Sequence, residues 1–342
     1  MYAHGSETSL MIKRFIFLLI IGIILASCSP QSKKTLILAH GLDTKHSVHI
    51  AMEFMAKRAF ELSEGKLEIK LYPSQQLGTE RQCLELLQIG SVDITKVSAA
   101  VMEGFAPVYK VLSIPYIFTS REHQSAVLGG PVGKKILATG EEFWLRGLCF
   151  YDSGSRSFYT KNKPILRPED LEGMKIRVMS SPTSIDMVKM FGGAATPISW
   201  GELYTALQGG VVDGAENNPP SFYLSHHYEV CKYYSIDEHT SIPDVLLIST
   251  HTWDKMSEEE RGWLSQAANE SFVYQQKLWI ESEKESLEAV REAGVQIFYP
   301  DKQPFREKVK PIIEKYKKDP VLREIIESIE AQEYTTKSSN LP

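Results

Sequence analysis

The stretch at residues 174–209, MKIRVMSSPTSIDMVKMFGGAATPISWGELYTALQG, decides the fold. Its apolar run at 174–179 reads as a strand, 183–191 as a helix, and 195–198 as a second strand. Ser199 and Glu202 are spaced to cap a further helix, which Gly209 ends, and 211–213 leads into another strand end. An order of strand, helix, strand, helix, strand predicts a parallel, doubly wound sheet. The same order occurs near the other end of the chain. Residues 36–39 form a buried strand. Val48, Met52, Met55, Ala59 and Leu62 then mark one face of a helix that stops at Gly65. Leu67, Ile69 and Leu71 alternate as a strand. Thr79 and Gln82 form a capping box for a helix ending at Gly90, and 93–98 returns as a strand.

Two separate units of this kind imply two α/β lobes with a groove between them. Residues 257–293 open on a Ser257–Glu260 capping box and carry a helical pattern without proline. At about 1.5 Å per residue such a helix approaches ~50 Å, longer than one lobe, so it is expected to span both. Residues 301–317 read as another helix.

The composition is that of a globular protein in 342 residues, with 43% hydrophobic and 24% charged positions. A net charge of −5 gives no reason to expect a nucleic-acid partner, and any anion site must be built locally. Lys13 and Arg14 precede the apolar run 15–25, a signal-peptide core with Met11 as its expected start. It ends in Leu25-Ala26-Ser27-Cys28, which resembles the lipobox of bacterial lipoproteins; Cys28 is then the expected lipidation site. Cys83, Cys149 and Cys231 have no C-x-x-C spacing and read as small buried hydrophobes.

Catalytic signatures are missing from the sequence. No G-x-G-x-x-G follows the first strand, and neither G-x-S-x-G nor H-E-x-x-H occurs. His226 and His227 are adjacent, so a helix cannot aim both at one metal. No metal or other cofactor is expected. What remains is a set of anion- and hydroxyl-binding groups. Arg177 lies inside an apolar strand, where a charged side chain needs a partner, either an internal carboxylate or a ligand. Arg156 lies on a second strand. Two arginines without matching acids nearby suggest an anion site, because a guanidinium meets a carboxylate bidentately.

At these residues the chain resembles a known family. Gln76-Leu77-Gly78-Thr79-Glu80-Arg81, Ile114-Pro115-Tyr116, Lys175-Ile176-Arg177, Tyr204-Thr205-Ala206-Leu207-Gln208 and Val212-Asp213-Gly214-Ala215-Glu216-Asn217 occur in the right order. Together they resemble the solute-binding proteins of tripartite ATP-independent periplasmic (TRAP) transporters, over about residues 36–296. The resemblance implies a two-lobed periplasmic-binding-protein fold with a hinge and a long helix across both lobes. It places one lobe at 35–154 plus 243–282 and the other at 155–242 plus 283–334, after a signal segment at 11–28 and before a disordered tail at 335–342. It further implies a receptor rather than an enzyme, held outside the membrane and handing a small organic acid to membrane permease subunits.

By the same resemblance Arg177 forms the main salt bridge to the ligand carboxylate, with Arg156 and Asn217 beside it. Trp200 packs on the apolar face of the ligand, Glu80 faces hydroxyls, and His40 and His46 line the cleft from the first loop. Asn218 adds a hydroxyl partner. Ser98 stands where sialic-acid receptors carry an acid, which argues against that ligand. Structural roles compete at three of these positions: Trp200 as core, Glu80 as support for its helix N-terminus, and His40 as an internal hydrogen-bonding group. The runs at 155–159, 216–219, 227–230, 237–240 and 243–246 resemble hexuronate-binding members. Glucuronate or galacturonate is therefore the expected ligand, with C4-dicarboxylates, aldonates, sialic acid or an uronate-processing enzyme as alternatives.

Overall fold

The computed structural model describes residues 33–338. The expected signal segment at 11–28 and Cys28 lie outside the described residues. Eleven strands among the described residues form two sheets: β1 (Lys34–Ala39), β2 (Leu67–Tyr72), β3 (Ile94–Ser98), β4 (Leu145–Tyr151), β5 (Arg156–Thr160), β6 (Lys175–Val178), β7 (Ala194–Pro197), β8 (Gly214–Asn217), β9 (Tyr233–Thr240), β10 (Asp244–Ser249) and β11 (Gln296–Phe298). One sheet has the order β2-β1-β3-β10-β4 and the other β11-β9-β5-β8-β6-β7.

The local elements follow from the local signals. Helix Ser47–Leu62 buries Val48, Met52, Met55 and Ala59, the stripe that its spacing predicts. Helix Glu80–Gln88 opens on the Thr79–Gln82 capping box, and Gly90 follows it at φ 72°. The long helix runs Glu258–Glu292 behind the Ser257–Glu260 capping box, 35 residues or about 50 Å. It packs on helix Ser47–Leu62 of one lobe and on helix Pro219–Leu224 of the other. Among the described residues no helix is long and apolar enough to cross a membrane. Cys83, Cys149 and Cys231 are buried free thiols.

Three expectations need correction. Neither sheet is wholly parallel. β10 runs antiparallel to both β3 and β4, and β5 antiparallel to both β8 and β9. The reason is that the chain changes lobe at 152–155 and returns at 241–243, so the inserted strands enter in the opposite sense. The predicted helix at 199–209 splits into a 3₁₀ turn, Trp200–Glu202, and helix Leu203–Gln208. Here Ser199 Oγ donates to the Glu202 carboxylate (2.6 Å) instead of capping a backbone N–H. The run at 211–213 leads into β8, which begins at Gly214. Helix Pro320–Ser338 takes in the first four residues of the expected disordered tail, and 339–342 lie outside the described residues. Leu322, Ile325, Ile326 and Ile329 recur at spacings of three, one and three and are buried, which anchors that helix.

The two chain crossings lie side by side, joined by Ser155 and Ser241 hydroxyls 3.0 Å apart. The long helix grips the first crossing through Gln275, whose amide donates to Asp152 O and accepts from Asp152 N–H, both at 2.8 Å. Gly154 stands at φ 57°, and a Cβ there would lie 2.8 Å from Trp279 Nε1. Glycine lets the crossing pass that close to the long helix. Beyond the crossings, Glu103 of the first lobe accepts from Ser181 Oγ (2.6 Å) and Thr183 Oγ1 (2.8 Å) of the second.

Candidate functional site

Between the sheets, and walled by the long helix, lies a cavity of ≈190 Å³. Its lining brings together Arg177, Arg156, Asn217, Asn218, Trp200, Glu80, His46 and Ser98, all foreseen from sequence. It adds Lys96, Asp244, Ser153 and Trp279, which were not foreseen.

Arg177 comes from β6, paired with β7 on one side and β8 on the other. Its residue is only 2% exposed. Nε donates to Ile198 O (2.9 Å), Nη1 is buried with no partner, and no ion pair forms at this guanidinium among the described residues. Burial pulls the pKa of Arg177 down, while Tyr159 and Glu216 nearby oppose that. The Trp200 ring centroid lies 5.8 Å from the guanidinium carbon, and His227 meets the indole edge-on at 5.2 Å.

Arg156 differs, and corrects the expectation of two free arginines. Glu216 meets it through Nε (2.5 Å) and Nη2 (3.0 Å), and Asn217 Oδ1 accepts from Nη1 (2.7 Å). The acid lies across the β5–β8 ladder, sixty residues along the chain, where sequence proximity gives no warning. Behind Glu216 stands His239, 3.6 Å away and hydrogen-bonded to Asp237 at 2.8 Å. Burial alone would raise the Glu216 pKa, but Arg156 and His239 bring it down to about 2. Burial would lower His239, yet Asp237 and Glu216 raise it to about 9. Asn217 Oδ1 is occupied twice, by Arg156 and by the Asn218 N–H (2.9 Å), so its amide nitrogen is the group left for the cavity.

The opposite wall is built on β3 and β10. Lys96 Nζ, on a residue 2% exposed, lies 3.2 Å from Glu80 Oε1 and 3.1 Å from Asp244 Oδ1. Glu80 Oε1 also accepts the Ser98 N–H at 3.2 Å. Ser98 and Asn218 cap the helices that follow them, Oγ to Ala100 N–H and Oδ1 to Ser221 N–H. His46 Nδ1 accepts the Val48 N–H (3.2 Å), and its Nε2 is buried without a partner. Burial, then the charge of Lys96, lowers its pKa to about 3, so the ring is neutral and can donate from Nε2. Trp279 presents an unpartnered Nε1 and Ser153 an unpartnered hydroxyl.

His40 is not brought to the cavity. Its Nδ1 accepts from Leu42 N–H (3.2 Å) and its Nε2 bonds His49 Nδ1 (2.9 Å), so both ring nitrogens hold the loop in shape. Trp279 has no distinguishing signal in the sequence. Lys96 does, being a lysine in the middle of the apolar strand ITKVS, all five residues of which are buried.

Residues 38–319 match the family described as DctP, bacterial extracellular solute-binding protein, family 7. A TRAP periplasmic solute-binding protein of Xanthobacter autotrophicus Py2, solved with β-D-galacturonate bound, is 38% identical. The superposition covers 86% of this chain and 99% of that one, with a TM-score of 0.84. Another from Anaerococcus prevotii, solved with α/β-D-glucuronate, is 34% identical, covers 89% and 99%, and has a TM-score of 0.87. A solute-binding protein of Chromohalobacter salexigens is 35% identical over 282 residues, 82% of this chain and 84% of the relative.

Proposed function

This chain belongs to family 7 of the bacterial extracellular solute-binding proteins, and from that premise we propose that it is the receptor of a TRAP transporter for a hexuronate, glucuronate or galacturonate. The observation that carries the proposal is the buried Arg177 guanidinium, whose Nη1 has no partner at the cavity wall. An uncompensated charge in such a place is costly unless an anion joins it. A single carboxylate supplies that anion. Asn217 and the remaining N–H of Arg156 lie beside it, and Trp200 offers a flat face to a sugar ring.

The rest of the ligand needs partners for hydroxyls, and Glu80, Asp244, Lys96, Asn218, His46 and Ser153 supply acceptors and donors around one small cavity. The galacturonate and glucuronate bound by the two related structures have this combination of one carboxylate and a hydroxylated ring. Binding across the lobes favours their closed arrangement, which the membrane permease subunits then recognise. A lipid on Cys28 would keep the receptor at the membrane surface.

The test is a thermal-unfolding panel of the purified protein with glucuronate, galacturonate, an aldonate, a C4-dicarboxylate, sialic acid and a neutral hexose. A ligand at a hundredfold excess over its dissociation constant adds about 2.7 kcal/mol, a shift of several degrees. The hexuronates are expected to produce it and the neutral hexose is not. A shift with another acid alone replaces the ligand; no shift with any acid contradicts the proposal.

A further inference from the structure

The wall facing Arg177 holds a lysine and two carboxyl side chains whose hydrogen-bonding capacity is only partly used. Lys96 Nζ has three N–H bonds and spends two, on Glu80 Oε1 and Asp244 Oδ1. Asp244 meets Lys96 through one oxygen, and no hydrogen bond is made to its other oxygen among the described residues. The same holds for Glu80 Oε2. The arrangement follows from register: Asp244 of β10 stands opposite Ser98 of β3, and Lys96 is two residues back on the same face. Glu80 reaches in from the first turn of helix Glu80–Gln88. All three line the cavity, so it is offered an acceptor, a donor and an acceptor in a row.

Charge decides what can occupy that row. Around the cavity Lys96, Arg81, Arg156 and Arg177 stand against Glu80 and Asp244; Arg156 is already paired with Glu216 behind the wall, and Arg81 with Glu85. One carboxylate is compensated at Arg177. A second carboxylate at the far end would meet Glu80 and Asp244, with Lys96 already shared between them and Arg81 already paired with Glu85. Hydroxyl groups carry no such penalty, since each can donate to a carboxylate oxygen and accept from the ammonium. We propose that Asp244 and Lys96, with Glu80, read the hydroxyls of the ligand and thereby set a preference for polyhydroxylated monoacids over dicarboxylates. This rests on the hexuronate reading and adds to it the residues that confer the selectivity.

Calorimetric titrations with glucuronate, galacturonate and succinate test it on the wild-type protein and on Asp244→Asn, which keeps the shape and removes the charge. A hydrogen bond to a charged group is worth about 10- to 100-fold in affinity. The variant should lose that much hexuronate affinity while its affinity for succinate holds or rises. Hexuronate binding within twofold of wild type overturns the proposal. So does an equal loss for all acids together with a lowered melting temperature, which would mark a merely structural role. Titration of the unaltered protein with 2-, 3- and 4-deoxy hexuronates reads the same contacts without a variant. At least one deoxy acid should bind about 10- to 100-fold more weakly, and binding of all of them within twofold of the parent acid overturns the proposal. Failure of wild-type protein to bind either hexuronate would instead fall on the function proposed above.

Discussion

Arg177→Met is expected to abolish the hexuronate-induced thermal shift while leaving the unliganded protein as stable as before, or more so. Methionine keeps most of the apolar stem and removes the charge. In the unliganded protein the guanidinium is buried and forms no ion pair, so its burial is a cost that the ligand offsets. Removing a hydrogen-bonded charge from a buried ion pair weakens binding by about 2–5 kcal/mol, on the order of 30- to several-thousand-fold. The lost bond to Ile198 O and the lost place of the guanidinium beside the Trp200 ring work against stability in the variant. Melting curves with and without ligand check both halves of the expectation. A variant that still responds to hexuronate removes Arg177 from the site. A clear loss of stability without ligand shows that an internal contact, not a ligand, balances its charge.

The second large effect is expected at Glu216, for the opposite reason. Arg156 is 4% exposed and Glu216 1%, and the acid holds the arginine through both carboxylate oxygens. Glu216→Ala leaves Arg156 buried without its counter-ion and takes a neighbour from His239. Breaking a buried pair in this way costs about 3–5 kcal/mol, to be read from the denaturant midpoint. A loss below about 1 kcal/mol would show that Arg156 is well solvated. The pair also gives stability a pH signature. The folded Glu216 carboxyl is depressed to about 2 from an ordinary 4.5. Its contribution is therefore complete above pH 4.5 and is lost as pH falls towards 2. His239 is raised to about 9 from an ordinary 6.5, so its contribution is complete below pH 6.5 and is lost as pH rises through 9. This cluster is most stabilising between those two ordinary values. Glu216→Gln should flatten the acid limb of the stability profile relative to the parent.

What the sequence discloses here is mostly what is local. Capping boxes at Thr79–Gln82 and Ser257–Glu260 involve residues three apart, and both are present as read. Strand sense is not local. The antiparallel entry of β5 and β10 depends on where the chain changes lobe, and nothing in the strands themselves records it. The same divide runs through the site. A charged residue in an apolar strand singled out Arg177, and Lys96 in ITKVS satisfies the same criterion. Its partner Asp244 is 148 residues away, joined only by the β3–β10 register, just as Glu216 is joined to Arg156 by the β5–β8 register. The resemblance put His40 and His46 on the first loop of the cleft, but did not give the direction of each ring. His40 turns inward to His49, and His46 is left with a free nitrogen in the cavity wall.

A crystal structure of the protein with galacturonate tests the central claim most directly. The account predicts the carboxylate against the Arg177 guanidinium, next to Asn217 and Arg156, the ring against Trp200, and hydroxyls on Asp244, Lys96 and Glu80. A carboxylate placed on Lys96, or a sugar bound outside this cavity with Arg177 still unpaired, would contradict it.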